Sequence, residues 1–305
     1  MCGLIFIFAM SLLVGDASLN TEQAYVDVVL YQSRHDGYRN IYAIEPVSGQ
    51  KVQITSHTSH DAYPHWSSRR EEFIFSSERN GWWQLWSLPA DTDKTARQLT
   101  GPGSWNAYAK WSPDGEQVVF ASGRDGKPNI YIMNADGAMQ AAAAKTNAAD
   151  NFPAWSPDGS MVAFSSSRNG ALELFIMDTR KWDAFPVAGM PVLGSFPNWS
   201  PDGEELVYVS HDTNGKGDIS ILNLGTGAVS RVIASSEDKN WPTWSPDGGQ
   251  LAFSLMRDGD WDLFLFDFAS QKMIPLVQQP GLDGQASWAR LSEEVWQELK
   301  ISKGR

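Results

Sequence analysis

A tryptophan recurs along this chain at Trp66, Trp111, Trp155, Trp199, Trp244 and Trp288, at intervals of 45, 44, 44, 45 and 44 residues. A fixed period of that length is what one four-stranded sheet and its turns occupy, so the period constrains the fold before any other feature does. Four copies read Trp-Ser-Pro-Asp-Gly in full, at 111–115, 155–159, 199–203 and 244–248; Trp66-Ser-Ser-Arg-Arg70 is decayed and Trp288-Ala-Arg-Leu291 keeps only the tryptophan. The pentapeptide is turn chemistry: Pro presets φ, Asp accepts from nearby amides, and Gly tolerates positive φ.

After each turn comes a short apolar run: Phe73–Phe75, Val118–Phe120, Val162–Phe164, Leu206–Tyr208 and Leu251–Phe253. A second turn follows, with Arg then Gly, as in Arg79-Asn-Gly81, Arg124-Asp-Gly126, Arg168-Asn-Gly170 and Arg257-Asp-Gly259. A polar residue (Asn129, Glu173, Asp218, Asp262) opens a third strand, a weak outer strand such as Arg97–Thr100 follows, and an aromatic-bearing strand such as Tyr108-Ala-Lys-Trp111 leads into the next copy. The N-terminal stretch Val28–Ser33 and Asn40-Ile-Tyr42 has the later strands of a repeat without a tryptophan strand before them; Ala286-Ser-Trp288 is a tryptophan strand with no blade after it. Each end is the half the other lacks. The pattern predicts an all-β, six-bladed β-propeller over residues 26–290, built of four-stranded blades and closed by pairing the N- and C-terminal strands in one blade, which removes open sheet edges. The Ala-rich run Gln140–Ala149 falls where an outer strand belongs. Residues 291–305 read as a short helix or tail, with Ser292 as N-cap and Glu293 and Glu294 at the positive end.

Composition narrows the function classes. The net charge of −12 weighs against nucleic acid and anionic lipid, both of which are bound through Lys and Arg. Cys2 is the single cysteine, so the chain has no intramolecular disulfide and no zinc site built on thiolates. The apolar run Leu4–Val14 is too short to span a bilayer, and with Gly15-Asp-Ala17 it reads as a signal segment over residues 1–17, though no Lys or Arg precedes it. The expectation is a monomeric protein exported to the periplasm or beyond, with no transmembrane domain in the mature chain.

The run Trp-Ser-Pro-Asp-Gly, apolar strand, Ser-x-Arg-x-Gly, then Ile130-Tyr-Ile-Met133 and Asp136-Gly137 resembles the repeat of TolB-like propellers (WD-like, PD-repeat). The resemblance covers residues 26–290 and implies a periplasmic scaffold that works through protein–protein contacts. Propellers of prolyl-oligopeptidase-type peptidases share the repeat, but no Gly-x-Ser-x-Gly elbow accompanies it here.

Chemistry has few candidates. His57, His60, Asp61 and His65 are the one concentration of metal-ligating side chains, in a spacing that matches no ligand signature; loop histidines with local hydrogen bonds are the simpler reading. The positions that open the tryptophan strands are Asp61, Asn106, Asp150, Gly194, Lys239 and Asp283. They offer a cation or polar-ligand site at one channel mouth, or merely strand-end hydrogen bonds. The repeated arginines are read as structural, pairing with turn carboxylates. No cofactor motif is present. Trp82, Trp83 and Trp261 have no counterpart in most copies, and as rim aromatics they are candidate anchors for a protein or peptide partner at one face or at the channel mouth. The leading expectation is a non-enzymatic binding or scaffold module. The alternative is a carbohydrate-active hydrolase or lyase with its site near His60 and Asp61.

Overall fold

The computed structural model describes residues 24–303 apart from 36, 92–94, 145, 188–191 and 212–215. The expected signal segment lies outside the described residues. Within them the chain forms six four-stranded antiparallel sheets arranged as propeller blades. Blade 1 is shared between the chain ends, in the order Gly284–Ser292, Tyr25–His35, Tyr38–Ile44, Lys51–Gln53. The innermost strands of blades 2 to 6 are Asp61–Ser67, Asn106–Trp111, Asp150–Trp155, Ser195–Trp199 and Lys239–Trp244. Closure is a true strand pairing, running from Tyr25 opposite Ser292 to Leu30 opposite Ser287. Arg290 and Asp27 brace it with an ion pair at 2.7 Å.

The repeated turn holds itself together. Ser112 donates its hydroxyl to Asp114 Oδ1 at 2.6 Å and accepts the Gln117 amide at 2.9 Å, and Ser156, Ser200 and Ser245 do the same in their copies. These serine hydroxyls hold Asp114, Asp158, Asp202 and Asp247 below the usual carboxylate range. The closing glycines sit at φ from +72° to +77°, a region where a side chain is strained. In three copies the tryptophan before the turn ties one blade to the last: the indole N–H of Trp66 reaches Arg290 O, that of Trp155 reaches Lys110 O, and that of Trp199 reaches Ala154 O, at 3.0 to 3.2 Å, whereas those of Trp111, Trp244 and Trp288 are buried without such a bond.

The core lies between blades. Val118, Phe120 and Tyr131 of blade 3, for example, pack against Ile74 and Leu85 of blade 2. Each such side chain contributes roughly 1.5–3 kcal/mol by leaving water. The Ala-rich segment supplies the outer strand of blade 3, Ala141–Ala144. After blade 1 the chain enters a helix, Glu293–Lys303, whose first turn is capped by Ser292 Oγ accepting the Val295 amide. Leu291, Trp296 and Leu299 close over the core of blades 1 and 2.

The antiparallel order defines two faces. Innermost strands begin at the face carrying the Arg-x-Gly turns and end at the face carrying the Ser-Pro-Asp-Gly turns.

Candidate functional site

The channel is shut near the strand-start face by a collar of side chains. Tyr63, Tyr108, Phe152, Phe196 and Trp241 occupy the position three residues before each repeat tryptophan, and Gln285 takes that position in blade 1. All six have positive φ, between +53° and +60°. In each innermost strand the pairing register slips at this residue, as between Ala62 and His65 or Asn151 and Ala154. The bulge turns the side chain out of the sheet and into the channel. Proline follows in four blades, as Pro64, Pro153, Pro197 and Pro242, where a missing N–H costs no ladder bond. The rings pack in sequence: Tyr63 to Tyr108 at 4.4 Å, Tyr108 to Phe152 at 4.7 Å, Phe152 to Phe196 at 4.0 Å and Phe196 to Trp241 at 5.3 Å. Gln285 closes the circle by accepting the Tyr63 amide on Oε1 at 3.0 Å. Only about 60 Å³ of free space remains among them. The sequence signal was visible as an aromatic at the third position before tryptophan. The positive φ that aims it into the channel was not.

Trp83 and Trp261 extend the collar outward. Trp83 lies 6.1 Å from Tyr63 with the Arg39 guanidinium 5.2 Å from its ring, and Trp261 lies 5.7 Å from Trp241. Trp82 beside them is 59% exposed. The structure therefore gathers the three tryptophans on the strand-start face, on blades 2 and 6, the two neighbours of blade 1. Blade 1 is the one whose collar residue is not aromatic.

Four of the strand-opening side chains, Asp61, Asn106, Asp150 and Lys239, are engaged from within the fold. Asp61, fully buried, takes both contacts of Arg79 Nη2, at 2.9 and 3.1 Å. Arg168 bonds buried Asp150 at 3.3 Å, and Arg124 bonds the Asn106 amide oxygen at 3.1 Å. These arginines lie over aromatic rings of their own blade, Arg79 on Trp86 at 4.7 Å and Arg168 on Phe175 at 4.3 Å. The expectation that they pair with turn carboxylates is thus corrected: the turn aspartates are engaged by serines, and the arginines reach back to the start of their own blade. Lys239, fully buried, bonds Asp218 at 3.1 Å and Glu237 O at 2.7 Å, and Arg257 of that blade lies over Phe264.

The histidines go separate ways. His57 Nδ1 contacts Ser59 Oγ at 2.8 Å. His60 Nδ1 accepts the Arg39 amide at 3.1 Å, and burial and the Arg39 charge lower its pKa. His65 lines the opposite mouth of the channel, where its Nδ1 accepts the Trp111 amide at 3.2 Å. Burial and the Lys110 ammonium hold it well below the usual imidazole range. Among the described residues no three His, Cys, Asp or Glu side chains are grouped so as to hold a metal ion. No described helix is long and apolar enough to cross a membrane.

The model of the TolB beta propeller domain matches residues 103–189 and 187–296. The chain belongs to the TolB β-propeller family. TolB from Acinetobacter baumannii has the same fold, with a TM-score of 0.76 at 18% identity over 86% of this chain and 66% of its own. This family member therefore spans just under two thirds of that protein's length. A TolB-like protein from Agrobacterium tumefaciens aligns with a TM-score of 0.69 at 17% identity, over 88% of this chain and 98% of its own. An oligogalacturonate lyase in complex with manganese is more distant, at 0.54 and 15% identity over 85% of this chain and 74% of its own. No curated protein sequence is detectably similar.

Proposed function

We propose that this TolB-family propeller is an exported, non-enzymatic binding module that holds a protein or peptide partner on its strand-start face. One observation carries the reading. Trp82 stands exposed beside a continuous aromatic surface running from Trp83 through the collar to Trp261. Large aromatics exposed together at a rim are the usual anchors of protein interfaces, because they bury much area at little entropic cost. The partner seats over blade 1, between the tryptophans of blades 2 and 6. The net charge of −12 keeps nucleic acid off this surface.

Affinity capture from the source cell's envelope fraction tests it. Wild-type protein is expected to retain a specific partner, and the variant with Trp82, Trp83 and Trp261 all replaced by Ala to lose at least roughly tenfold in capture. Trp83 and Trp261 also pack on the collar, so Trp82→Ala serves as the folding-neutral companion. Equal capture per folded molecule by wild type and both variants overturns the assignment.

A further inference from the structure

The other mouth of the channel is a funnel of about 930 Å³. Its floor is made by the residues that precede the six repeat tryptophans: His65, Lys110, Ala154, Asn198, Thr243 and Ser287. The repeat fixes their place but not their identity, and no two are the same residue type. A position that serves only the frame repeats, as the turn serines do; this one has diverged in every blade.

The floor is a set of polar groups with nothing in the protein to bond. Among the described residues the side chains of Lys110, Asn198, Thr243 and Ser287 have no hydrogen-bond or ion-pair partner in the fold and face the funnel. His65 uses only Nδ1, as an acceptor, so its neutral ring carries the proton on Nε2 and leaves a donor there. Leaving such groups unmatched is costly unless water or a ligand meets them. The floor contains one cation and no acid.

The wall adds Arg69, Arg70 and Arg290 against Glu71. Arg70 is neutralised by Glu72 at 2.9 Å and Arg290 by Asp27 at 2.7 Å. Arg69 and Glu71 offset each other in sign, which leaves the Lys110 ammonium as the single charge of the floor; the carboxylates of Asp114, Asp158, Asp202 and Asp247 lie in the turns of the same face. A single floor ammonium matches a monoanion; a phosphate dianion would remain half uncompensated. Above the floor the wall is the repeat indoles and Pro113, Pro157, Pro201 and Pro246, surfaces suited to an organic body.

We infer that the funnel binds an organic carboxylate, with Lys110 Nζ as counter-ion and His65, Asn198, Thr243 and Ser287 as its neutral hydrogen-bond partners. Two sources share that chemistry, the free C-terminus of a peptide and a uronic acid. The site opens opposite Trp82, so its test is independent of the aromatic face.

Calorimetric titration of the full chain decides it, using N-acetyl-trialanine against its C-terminal amide, and trigalacturonate against neutral trigalactose. At least one acid is expected to bind with a Kd below about 1 mM and at least roughly tenfold more tightly than its neutral counterpart, as a charge-assisted contact requires. The winning pair names the source. Lys110→Met is expected to abolish the difference and Lys110→Arg to retain part of it, with the Met variant melting no lower than wild type; Lys110→Gln replaces the Met variant should that one not fold. The inference is overturned if neither acid outperforms its neutral form, if the preference survives in folded Lys110→Met, or if inorganic phosphate binds more tightly than both acids.

Discussion

Arg79 sets one amino group against both carboxylate oxygens of Asp61, at 2.9 and 3.1 Å, and lies over the Trp86 ring. Asp61 is fully buried, so the guanidinium is what makes its charge tolerable there. Arg79→Ala leaves that charge alone and is expected to cost about 3–5 kcal/mol. Asp61→Asn is expected to cost well under half as much, because blade 3 already runs on the neutral version, Asn106 with Arg124 at 3.1 Å. Urea unfolding of the two variants checks the order. An Asn variant as damaged as the Ala variant removes the argument.

The second prediction concerns closure. Ending the chain after Pro280 deletes the innermost strand of blade 1 and the helix that buries Trp296 and Leu299. Tyr25–His35 becomes an open edge on an incomplete ring. Loss of a buried strand of this size is expected to remove several kcal/mol and to blunt the cooperativity of thermal unfolding. Arg290→Ala, which breaks only the exposed pair to Asp27, is expected to cost about 1 kcal/mol or less. A truncated protein that melts as wild type does refutes the shared-blade closure.

Metal content is the third. His60 and His65 each spend a ring nitrogen on a backbone amide, and Asp61 is taken by Arg79. A site of preorganised ligands is therefore missing from this cluster, and dialysed protein is expected to carry less than about one tenth equivalent of zinc or manganese. Elemental analysis settles the point. Near-stoichiometric metal that disappears in His60→Ala promotes the lyase reading.

How far the sequence reached follows from which interactions repeat. The blades were legible because turn and strand chemistry recur every 44 or 45 residues, and the closure because the two chain ends carry complementary halves. The partner of the repeated arginine was not foreseen, although a signal existed. Arg79, Arg124 and Arg168 each lie 18 residues after the group they bond. Where the strand instead opens with Lys239, its partner changes to Asp218 of the preceding blade and Arg257 is left over an aromatic ring. The collar was hidden for a different reason. Alternation along a strand assigns faces by parity, and a bulge breaks parity without leaving a mark in composition. The six floor residues align as one repeat position, His65 with Lys110, Ala154, Asn198, Thr243 and Ser287, but that they face one funnel shows only when the ring brings them together.

A fourth prediction is read from pH. Desolvation lowers Lys110 from the usual lysine range to about 8. The other charged or titratable groups lining the same funnel are Tyr25, His65, Arg69, Arg70, Glu71 and Arg290. The folded amine loses its proton at lower pH than the unfolded one, so the unfolded chain binds more protons between the two values. Stability from this group is therefore expected to rise as pH increases from about 8 toward the ordinary lysine value. Comparing the pH dependence of unfolding in wild type and Lys110→Met isolates the contribution. Acetylation of Lys110 by acetic anhydride is expected to show its midpoint near pH 8, and a midpoint at the ordinary lysine value counts against a desolvated amine.

The collar supplies the last prediction, because it reverses an ordinary rule. Inside a strand, glycine is a worse replacement than alanine, since it loses more backbone freedom on folding. Phe152 sits at φ +57°, in the left-handed region where any residue with a Cβ is strained. Its ring offsets that strain through contacts with Tyr108 at 4.7 Å and Phe196 at 4.0 Å. Phe152→Ala removes the contacts and keeps the strain; Phe152→Gly removes both. Glycine is therefore expected to be the milder substitution, by roughly 0.5–1 kcal/mol in urea unfolding. The same order is expected at Phe196, φ +55°, and the usual order at Phe164, a buried strand residue of the same blade as Phe152 outside the positive-φ set. Alanine proving milder than glycine at both collar positions would show that the bulge relaxes once the ring is gone, and that the aromatic circle, not the backbone, sets the shape of the channel.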